Sequence, residues 1–164
     1  MLYEDLYHGS PAKGIKQFDL TLNTRDYRCE SDDTVVYWAT DDPQVAKEYA
    51  DGVGSVYRVE LEIKRLFDTS ARECRKIYDR LVQEHLEEVV GQGGAPLGYA
   101  WPEVAHEGDG PGYLPYYQNN DWLIPAIQAL GYDGMLVSPG GGVIEFGVFD
   151  PRQITILEER EVKK

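Results

Sequence analysis

Alternating and β-branched apolar residues predict short strands in the first part of the chain. Leu6 to His8 forms a short strand-like stretch that ends at the turn sequence Gly9-Ser10-Pro11. Val35 to Ala39 is a β-branched and aromatic run, which is typical of a buried strand. From Ser55 to Ile63 apolar and polar residues alternate, so this stretch is predicted to be a strand with one apolar face.

Three stretches have the periodicity of amphipathic helices: Asp42 to Gly52, Ser70 to Gly91, and Asp121 to Gly131. Each starts with a residue type that caps helix N-termini and ends at a glycine, which is common just after a helix. Ser70 and Glu73 also have the spacing of a capping box. The apolar residues predicted to share one face of each helix are Val45, Ala46, Tyr49 and Ala50, then Cys74, Ile77, Tyr78, Leu81 and Val89, and finally Leu123, Ile124, Ile127 and Leu130.

Strands are also predicted at the end of the chain, at Gly134 to Val137, Val143 to Phe149 and Gln153 to Leu157. Strands therefore come early and late with helices between them, and most connections suit antiparallel neighbours. This order predicts the α+β class rather than a doubly wound parallel sheet. A chain of 164 residues fits one domain, residues 1–164, with a loop-rich insertion of Gly, Pro and scattered aromatics at about 91–120.

Composition and charge narrow the classes of function. The formal net charge of −13 argues against nonspecific nucleic-acid binding, which needs clustered Lys and Arg, although a local patch could still hold a nucleic acid. The two cysteines, Cys29 and Cys74, form no metal-binding or disulfide framework; they indicate a reducing compartment and leave a disulfide between the two open. No signal peptide and no apolar run of membrane-spanning length is visible, so we expect a cytoplasmic protein that does not bind a membrane.

Three segments carry residue types suited to chemistry: Leu6 to Ser10, Tyr37 to Tyr49, and Val143 to Pro151. The first two have an ordinary structural interpretation, because histidine and tyrosine are often partly buried in protein cores. Glu145 stands out because it lies between Ile144 and Phe146 in an apolar strand. A carboxylate there lowers stability unless it is paired or faces a water-filled cleft, which makes it a candidate functional residue.

The order and spacing of these segments resemble the His-Tyr-Glu branch of the ADP-ribosyltransferase superfamily, which includes diphtheria-like toxins and poly-ADP-ribose polymerases. In that branch one strand ends in His-Gly-Ser/Thr, a second strand begins with Tyr and leads into a helix with another Tyr, and a late strand carries a Glu. The matching residues of this chain, in the same order, are His8-Gly9-Ser10, Tyr37, Tyr49 and Glu145.

The resemblance implies a fold, an activity and a setting. The fold would be split antiparallel sheets flanked by helices, with an NAD cleft between them. The activity would be NAD-dependent mono-ADP-ribosyl transfer, or NAD⁺ hydrolysis, by a toxin, effector or phage-encoded modifier that is delivered into or expressed inside a host cell. The tail, Gly131 to Gly134 and then Phe149 to Pro151, looks like the end of small bacterial and phage-borne members. The middle of the chain, from about Ser70 to Asn120, has no counterpart in this resemblance.

The resemblance also implies a role for each matched residue. The catalytic residues would be Glu145, His8 and Tyr37, and the NAD-binding residues would be His8, Gly9, Ser10, Tyr37 and Tyr49. Glu145 would bond the ribose 2′-hydroxyl and stabilise the positive charge that grows on the ribose as nicotinamide leaves. Tyr37 and Tyr49 would hold the flat nicotinamide cation between their rings. The Gly9 backbone would bond the carboxamide, and His8 would bond the adenosine-side ribose.

The acceptor of ADP-ribose is the least determined part of this interpretation. Arginine-modifying relatives have a second Glu or Gln two residues before the catalytic Glu, where this chain has Val143. The usual arrangement for arginine transfer is therefore missing. The glycine-rich loop Ser138 to Gly142 corresponds to the segment with which relatives recognise their acceptor. We expect a macromolecular acceptor, in the first instance a protein, and leave a nucleic acid open.

No metal is expected, because His85 and His106 have no Cys or His partner at ligand spacing. The chain has neither a GxGxxG nor a Walker sequence, so NAD would be bound outside a Rossmann fold. The alternative function is a catalytically inactive acidic interaction or inhibitor protein that binds a basic or nucleic-acid-binding partner. Release of nicotinamide from NAD⁺ would distinguish the two functions.

Overall fold

The computed structural model describes residues 1–18, 36–91, 120–140 and 142–163. Within these ranges the chain forms seven strands and three α-helices, and their order confirms the α+β class. In chain order the elements are β1 (Leu2–Ser10), β2 (Tyr37–Thr40), α1 (Pro43–Tyr49), β3 (Ser55–Glu62), β4 (Leu66–Asp68), α2 (Arg72–Gly91), α3 (Asn120–Ala129), β5 (Gly134–Gly140), β6 (Val143–Val148) and β7 (Ile154–Glu161). A short 3₁₀ helix, Pro151–Gln153, leads into β7. The expected insertion at about 91–120 lies, apart from its two ends, outside the described residues.

The seven described strands lie in one mixed sheet in the order β4-β5-β6-β2-β1-β3-β7. Neighbouring strands are antiparallel except β4 and β5, which are parallel. The chain passes through α2 and α3 between these two strands, and such a crossover brings the second strand back in the same direction. β1 and β2 are paired at a single position, Tyr7 with Thr40. The sheet therefore divides there into two halves, β4-β5-β6-β2 and β1-β3-β7.

Two apolar cores lie on opposite faces of the sheet. The first collects side chains from both halves, and Tyr57 and Val59 of β3 are fully buried in it, as their alternation predicts. The second core packs α2 and α3 against β4 and β5. On β5, Met135 and Val137 belong to the second core, whereas Leu136 between them contacts the first. This alternation is that of a strand covered on both faces.

The predicted start of α1 and the predicted end of α3 agree with the structure, whereas α1 ends at Tyr49, before the predicted Gly52. Asp42 caps α1, because its carboxylate accepts the Gln44 N–H at 2.8 Å. Gly131 follows α3 with a φ of 86°, a conformation that favours glycine. The N–H of Tyr132, the next residue, donates to Ile127 O at 3.1 Å, as expected for a Schellman motif.

Two predicted N-caps are wrong. Ser70 and Glu73 do not form a capping box, because α2 begins two residues after Ser70, whose hydroxyl donates to Asp68 Oδ1 at 2.6 Å. Ser70 is thus bonded to Asp68 in the turn that precedes the helix. Asp121 does not cap α3, because that helix already begins at Asn120.

Some strands are longer than predicted, and one gives no signal. β1 extends in both directions, and its early residues lack regular alternation because the register shifts between Tyr3 and Leu6, where Asp5 has a φ of 55°. β7 continues past Leu157 to Glu161 as an edge strand that carries charged residues. The sequence does not predict β4, because three residues are too few to show a period.

Candidate functional site

The candidate site begins where the two halves of the sheet meet. Thr40 of β2 is paired with Glu145 of β6 on one side and with Tyr7 of β1 on the other. Residues directly opposite each other in neighbouring strands project their side chains to the same side of the sheet. Glu145, Thr40 and Tyr7 therefore share one face, named here the Glu145 face. Glu145 and Thr40 are each 3% exposed, so the carboxylate lies buried one strand away from the boundary between the halves.

A turn of three residues, Thr40 to Asp42, connects β2 to α1. The Thr40 hydroxyl accepts the Asp42 N–H at 3.1 Å. Asp41 is bonded twice to Ile144: its N–H donates to Ile144 O at 3.1 Å, and its Oδ1 accepts the Ile144 N–H at 3.0 Å. Asp42 then caps α1. The turn therefore links the strand that carries Glu145 to the start of the helix.

Helix α1 lies on the Glu145 face, directly over β1. A Cβ atom at Gly9 would be 1.7 Å from the Ala46 carbonyl oxygen and 2.9 Å from Tyr49 Cβ, so only glycine fits at this position. Gly9 is two residues from Tyr7 and projects to the same side of the sheet. Tyr49 is 44% exposed, whereas Ala46 and Ala50 of the same turn are buried. The side chain of an exposed tyrosine thus starts beside the glycine backbone.

His8 lies on the opposite face, because it alternates with Tyr7 along β1. Its Nδ1 is 2.7 Å from Trp38 O, and since a carbonyl oxygen only accepts, Nδ1 carries the hydrogen. This bond joins β1 to β2 just past their single paired position. The ring of Phe18 meets the His8 ring edge-on at 4.7 Å. The imidazole is therefore held on one side by a backbone carbonyl and on another by an aromatic ring.

Tyr37 lies with His8 rather than with Glu145. It is three residues before Thr40 on β2, and this odd spacing places it on the opposite side of the sheet. Its side chain is 8% exposed, and its ring is 6.2 Å from that of Phe18. The structure therefore does not bring the Tyr37 ring to the face on which α1 presents its exposed tyrosine.

The predicted site residues fall into two groups by face, Glu145, Gly9 and Tyr49 on one face and His8 and Tyr37 on the other. Ser10, the remaining predicted residue, accepts the Ala12 N–H with its hydroxyl at 3.2 Å and so shapes the turn after β1. The roles assigned to these residues in NAD binding and catalysis stay predictions.

Segment 11–18, which follows β1, is held in place by Glu159 of β7. Its Oε1 accepts the Gly14 N–H and the Ser55 hydroxyl, each at 2.8 Å. These hydrogen bonds, first the one from the Gly14 backbone, lower the pKa of Glu159 below its ordinary value. The Tyr57 hydroxyl lies 3.1 Å from the same oxygen, and burial raises the pKa of Tyr57. This network holds the middle of the segment, and Phe18 at its end packs against the imidazole.

The sequence patterns do not predict four further residues that shape this region: Thr40, Asp41, Phe18 and Glu159. The run Thr40-Asp41-Asp42 between a strand and a helix has residue types that commonly bond turn backbones, and this signal could have indicated Asp41. Phe18 belongs to no periodic stretch, and Glu159 lies in a charged run that resembles a solvated surface. Their contacts depend on the tertiary fold and leave no local signal.

Within the ranges that the structure describes, no three His, Cys, Asp or Glu side chains are grouped so that they could hold a metal ion. His85 lies on α2, and His106 lies outside the described residues. Cys74 is a free, buried thiol in the second core. Among the described helices, none combines the length and the apolar character needed to span a membrane.

Comparison with known families gives a match over nearly the whole chain. The sequence model described as ADP-ribosyltransferase in polyvalent proteins matches residues 4–161. The seven-stranded sheet with its three flanking helices is consistent with an ADP-ribosyltransferase fold. The His-Tyr-Glu branch stays a prediction. Neither the curated proteins nor the solved structures give a match.

Proposed function

Because the chain belongs to the family of ADP-ribosyltransferase domains in polyvalent proteins, we propose that it binds NAD⁺ and transfers ADP-ribose to a macromolecular acceptor. Enzymes of this class use NAD as their substrate. The observation that carries the proposal is the position of Glu145, a buried carboxylate on the same face as the Gly9 backbone and the exposed ring of Tyr49. A buried acid on the same face as an exposed aromatic side chain is the combination that the proposed reaction needs.

In the proposed reaction, the bond between nicotinamide and C1′ of the ribose breaks, and its electron pair leaves with nicotinamide. Positive charge develops on the ribose, and the Glu145 carboxylate, bonded to the 2′-hydroxyl, stabilises that charge. A nucleophilic atom of the acceptor, or water in the hydrolytic reaction, forms the new bond to C1′ and gives up a proton. Burial of Glu145 strengthens the attraction, because the dielectric constant around it is lower than that of water.

NAD⁺ would bind at the junction between the two halves of the sheet. Tyr49 would stack on the nicotinamide cation, and the Gly9 backbone would bond its carboxamide. His8 lies on the opposite face, where its Nδ1 donates to a carbonyl of β2 and would hold the two strands together at the junction. Its Nε2 would bond the adenosine-side ribose where that part of NAD⁺ passes between the two halves of the sheet. Tyr37 and Ser10 would support the site from the core and from the turn after β1.

For the acceptor, we propose a protein side chain other than arginine, since Val143 stands where arginine-modifying relatives carry an acid or amide. A nucleic acid is the other acceptor class that the test addresses. The setting would be the cytoplasm, either of the cell that makes the protein or of a host cell that receives it. The protein would act there as a toxin, an effector or a phage-encoded modifier.

The proposal is tested by incubating the purified chain with NAD⁺ and following nicotinamide release, with Glu145→Gln as the matched control. We expect release by the wild type and its loss in the variant. NAD⁺ labelled in the adenine ring and added with a cell lysate then separates transfer from hydrolysis, and protease or nuclease sensitivity of the label identifies the acceptor class.

Equal release by wild type and variant, or release by neither, would overturn the proposal. Equal release by both would leave an enzyme in which Glu145 has no catalytic role. Release by neither would indicate the alternative function, a catalytically inactive acidic protein that binds a basic or nucleic-acid-binding partner. A net charge of −13 suits that alternative.

A further inference from the structure

The pairing between β2 and β6 is completed by a side chain next to Glu145. β2 ends at Thr40, the partner of Glu145, and the chain then turns into α1. In an antiparallel ladder, opposite residues alternate between pairs that exchange two N–H to carbonyl bonds and pairs that exchange none, and Asp41 and Ile144 stand at a position of the first kind. Asp41 donates its N–H to Ile144 O, but the Ile144 N–H donates to the Asp41 carboxylate. The carboxylate thus takes the place of a backbone carbonyl that the turn has moved away.

The other neighbour of β6 is less regular at this level. β5 pairs Val137 with Glu145 and Gly140 with Val143, and the register shifts between these two positions. The backbone just before Glu145 therefore lies between an irregular stretch of β5 and the double bond to Asp41. On the side of β2, the two bonds to Asp41 restrain this part of β6.

We propose that Asp41 is a positioning residue for Glu145, an inference that rests on the proposed function and extends it. Asp41 acts through the backbone of Ile144 and does not touch the substrate. Its two bonds fix the peptide that precedes the catalytic carboxylate, and so fix where that carboxylate meets the ribose. Small displacements of a catalytic group are costly, because about 1 Å can lower a rate roughly a hundredfold.

Two substitutions at this position separate the loss of the bond from the loss of the charge. Asp41→Ala removes the acceptor for the Ile144 N–H, whereas Asp41→Asn keeps an oxygen at the same place. We expect Asp41→Ala to lower kcat for nicotinamide release roughly ten- to a hundredfold, with KM for NAD⁺ changed less than about threefold. Asp41→Asn should recover most of the rate.

Asp42 offers a matched control in the same turn. Its carboxylate accepts the Gln44 N–H and caps α1, the helix that carries Tyr49, and it makes no bond to β6 among those described. Asp42→Ala should therefore act mainly on KM for NAD⁺ rather than on kcat. Substitutions of two adjacent aspartates are thus expected to change different kinetic constants, kcat for Asp41 and KM for Asp42.

A measurement that does not depend on activity completes the test. Amide hydrogen exchange of Ile144, followed by NMR, should become faster in Asp41→Ala but not in Asp41→Asn. Unchanged kcat and exchange in Asp41→Ala, with Glu145→Gln inactive, would overturn the positioning role and leave the proposed function standing.

A parallel fall of kcat, NAD⁺ affinity and melting temperature in Asp41→Ala, with no recovery in Asp41→Asn, would show a merely structural role and would also overturn the proposal. Full activity of Glu145→Gln would overturn the catalytic role of Glu145, and absence of release by the wild type would overturn the proposed function. The positioning role would fall in either case.

Discussion

Two aspartates at opposite ends of the β5–β6 pair bond backbone N–H groups of neighbouring segments. Asp133, just before β5, accepts the Lys64 N–H at 3.1 Å and the Arg65 N–H at 2.8 Å, and so fixes the turn between β3 and β4. Asp41, at the other end, accepts the N–H of Ile144. The chemistry is the same, but the segments that are held differ in what they carry.

At the end of the pair near Asp133, several elements are bonded together, and none of the residues involved belongs to the candidate site. Gln153 Nε2 donates to Asp133 O at 2.9 Å and to Glu62 O at 3.0 Å, which ties the 3₁₀ helix to the ends of β3 and β5. The Arg65 guanidinium also lies over the Tyr132 ring, 4.3 Å from its centroid. A bond of this kind stabilises the fold where it joins many segments, and it positions chemistry where the segment it holds carries a reactive group.

The largest effect is expected at Glu145, because Asp41 differs in function from Asp133 only if Glu145 is catalytic. Glu145→Gln should lower kcat roughly 10²–10³-fold, about 3–4 kcal/mol in the barrier, and leave KM nearly unchanged. Gln keeps the size of the side chain and removes a buried charge, so the melting temperature should not fall. Steady-state kinetics and the thermal shift caused by NAD⁺ measure both effects. An active variant would leave both aspartates with purely structural roles.

The next largest effect is expected at Gly9, on the binding side of the site. The Cβ atom of an alanine there would conflict with the Ala46 carbonyl oxygen, a backbone atom, so α1 must move. Gly9→Ala should lower the free energy of unfolding by roughly 1–3 kcal/mol. It should also remove the stabilisation by NAD⁺, which for the wild type is about 2.7 kcal/mol at a hundredfold excess over Kd.

Gly52→Ala is the control for this substitution, because Gly52 has a φ of 69° and a Cβ atom there would meet no atom of the described residues within 4 Å. It should lower stability through backbone strain alone and leave the thermal shift by NAD⁺ intact. A Gly9→Ala variant that NAD⁺ stabilises as much as the wild type would contradict the placement of the nicotinamide beside α1.

A smaller effect is expected at Asp133, and it should fall on folding stability and not on kcat. Asp133→Ala leaves two backbone N–H groups without their carboxylate partner, which should lower the free energy of unfolding by about 1–2 kcal/mol. The kcat of the folded fraction should be unchanged. Denaturant unfolding and kinetics on the same samples measure the two quantities. A fall in kcat as large as that of Asp41→Ala would remove the distinction between the two ends.

The fold could be predicted where the signal is local. β3 follows from alternation over successive residues, and α1 follows from Asp42 and Pro43 at its start. Glu145 could be singled out because a carboxylate in an apolar strand is costly. Its surroundings could not, because they depend on register: Thr40, and not Tyr37, lies opposite Glu145. A shift of one residue would reverse the faces.

The contacts of Glu159 were beyond the reach of sequence patterns for a different reason. Its bond to Gly14 joins residues separated by 145 positions. No local period records such a contact, and the neighbouring charges make the residue look solvated. Long-range bonds from exposed strands to irregular segments are therefore the part of a site that the structure has to supply.

The smallest effect is expected at Glu159, another carboxylate that accepts a backbone N–H, here on the edge strand β7. Hydrogen bonds from Gly14 and then Ser55 lower its pKa in the folded protein from the ordinary value of 4.5. Between the two pKa values the unfolded chain binds more protons than the folded one. This contribution to stability is therefore complete above the unfolded value and is lost as the pH falls through the folded value.

Glu159→Gln removes this titration, and the comparison of melting temperatures against pH isolates it. Glu158 and Asp150 also have lowered pKa values, through bonds to Arg160 and Arg152, but they titrate in both proteins and cancel in the difference. The wild type should exceed the variant by a constant amount above about pH 5, and the difference should shrink as the pH falls below about 4. Exchange of the Gly14 amide should be faster in the variant at neutral pH.

A difference in melting temperature that stays the same at low pH would contradict this prediction. It would mean that the ionised carboxylate holds segment 11–18 no better than a neutral amide does. The rule drawn from Asp41 and Asp133 would then not extend to the exposed edge of the sheet.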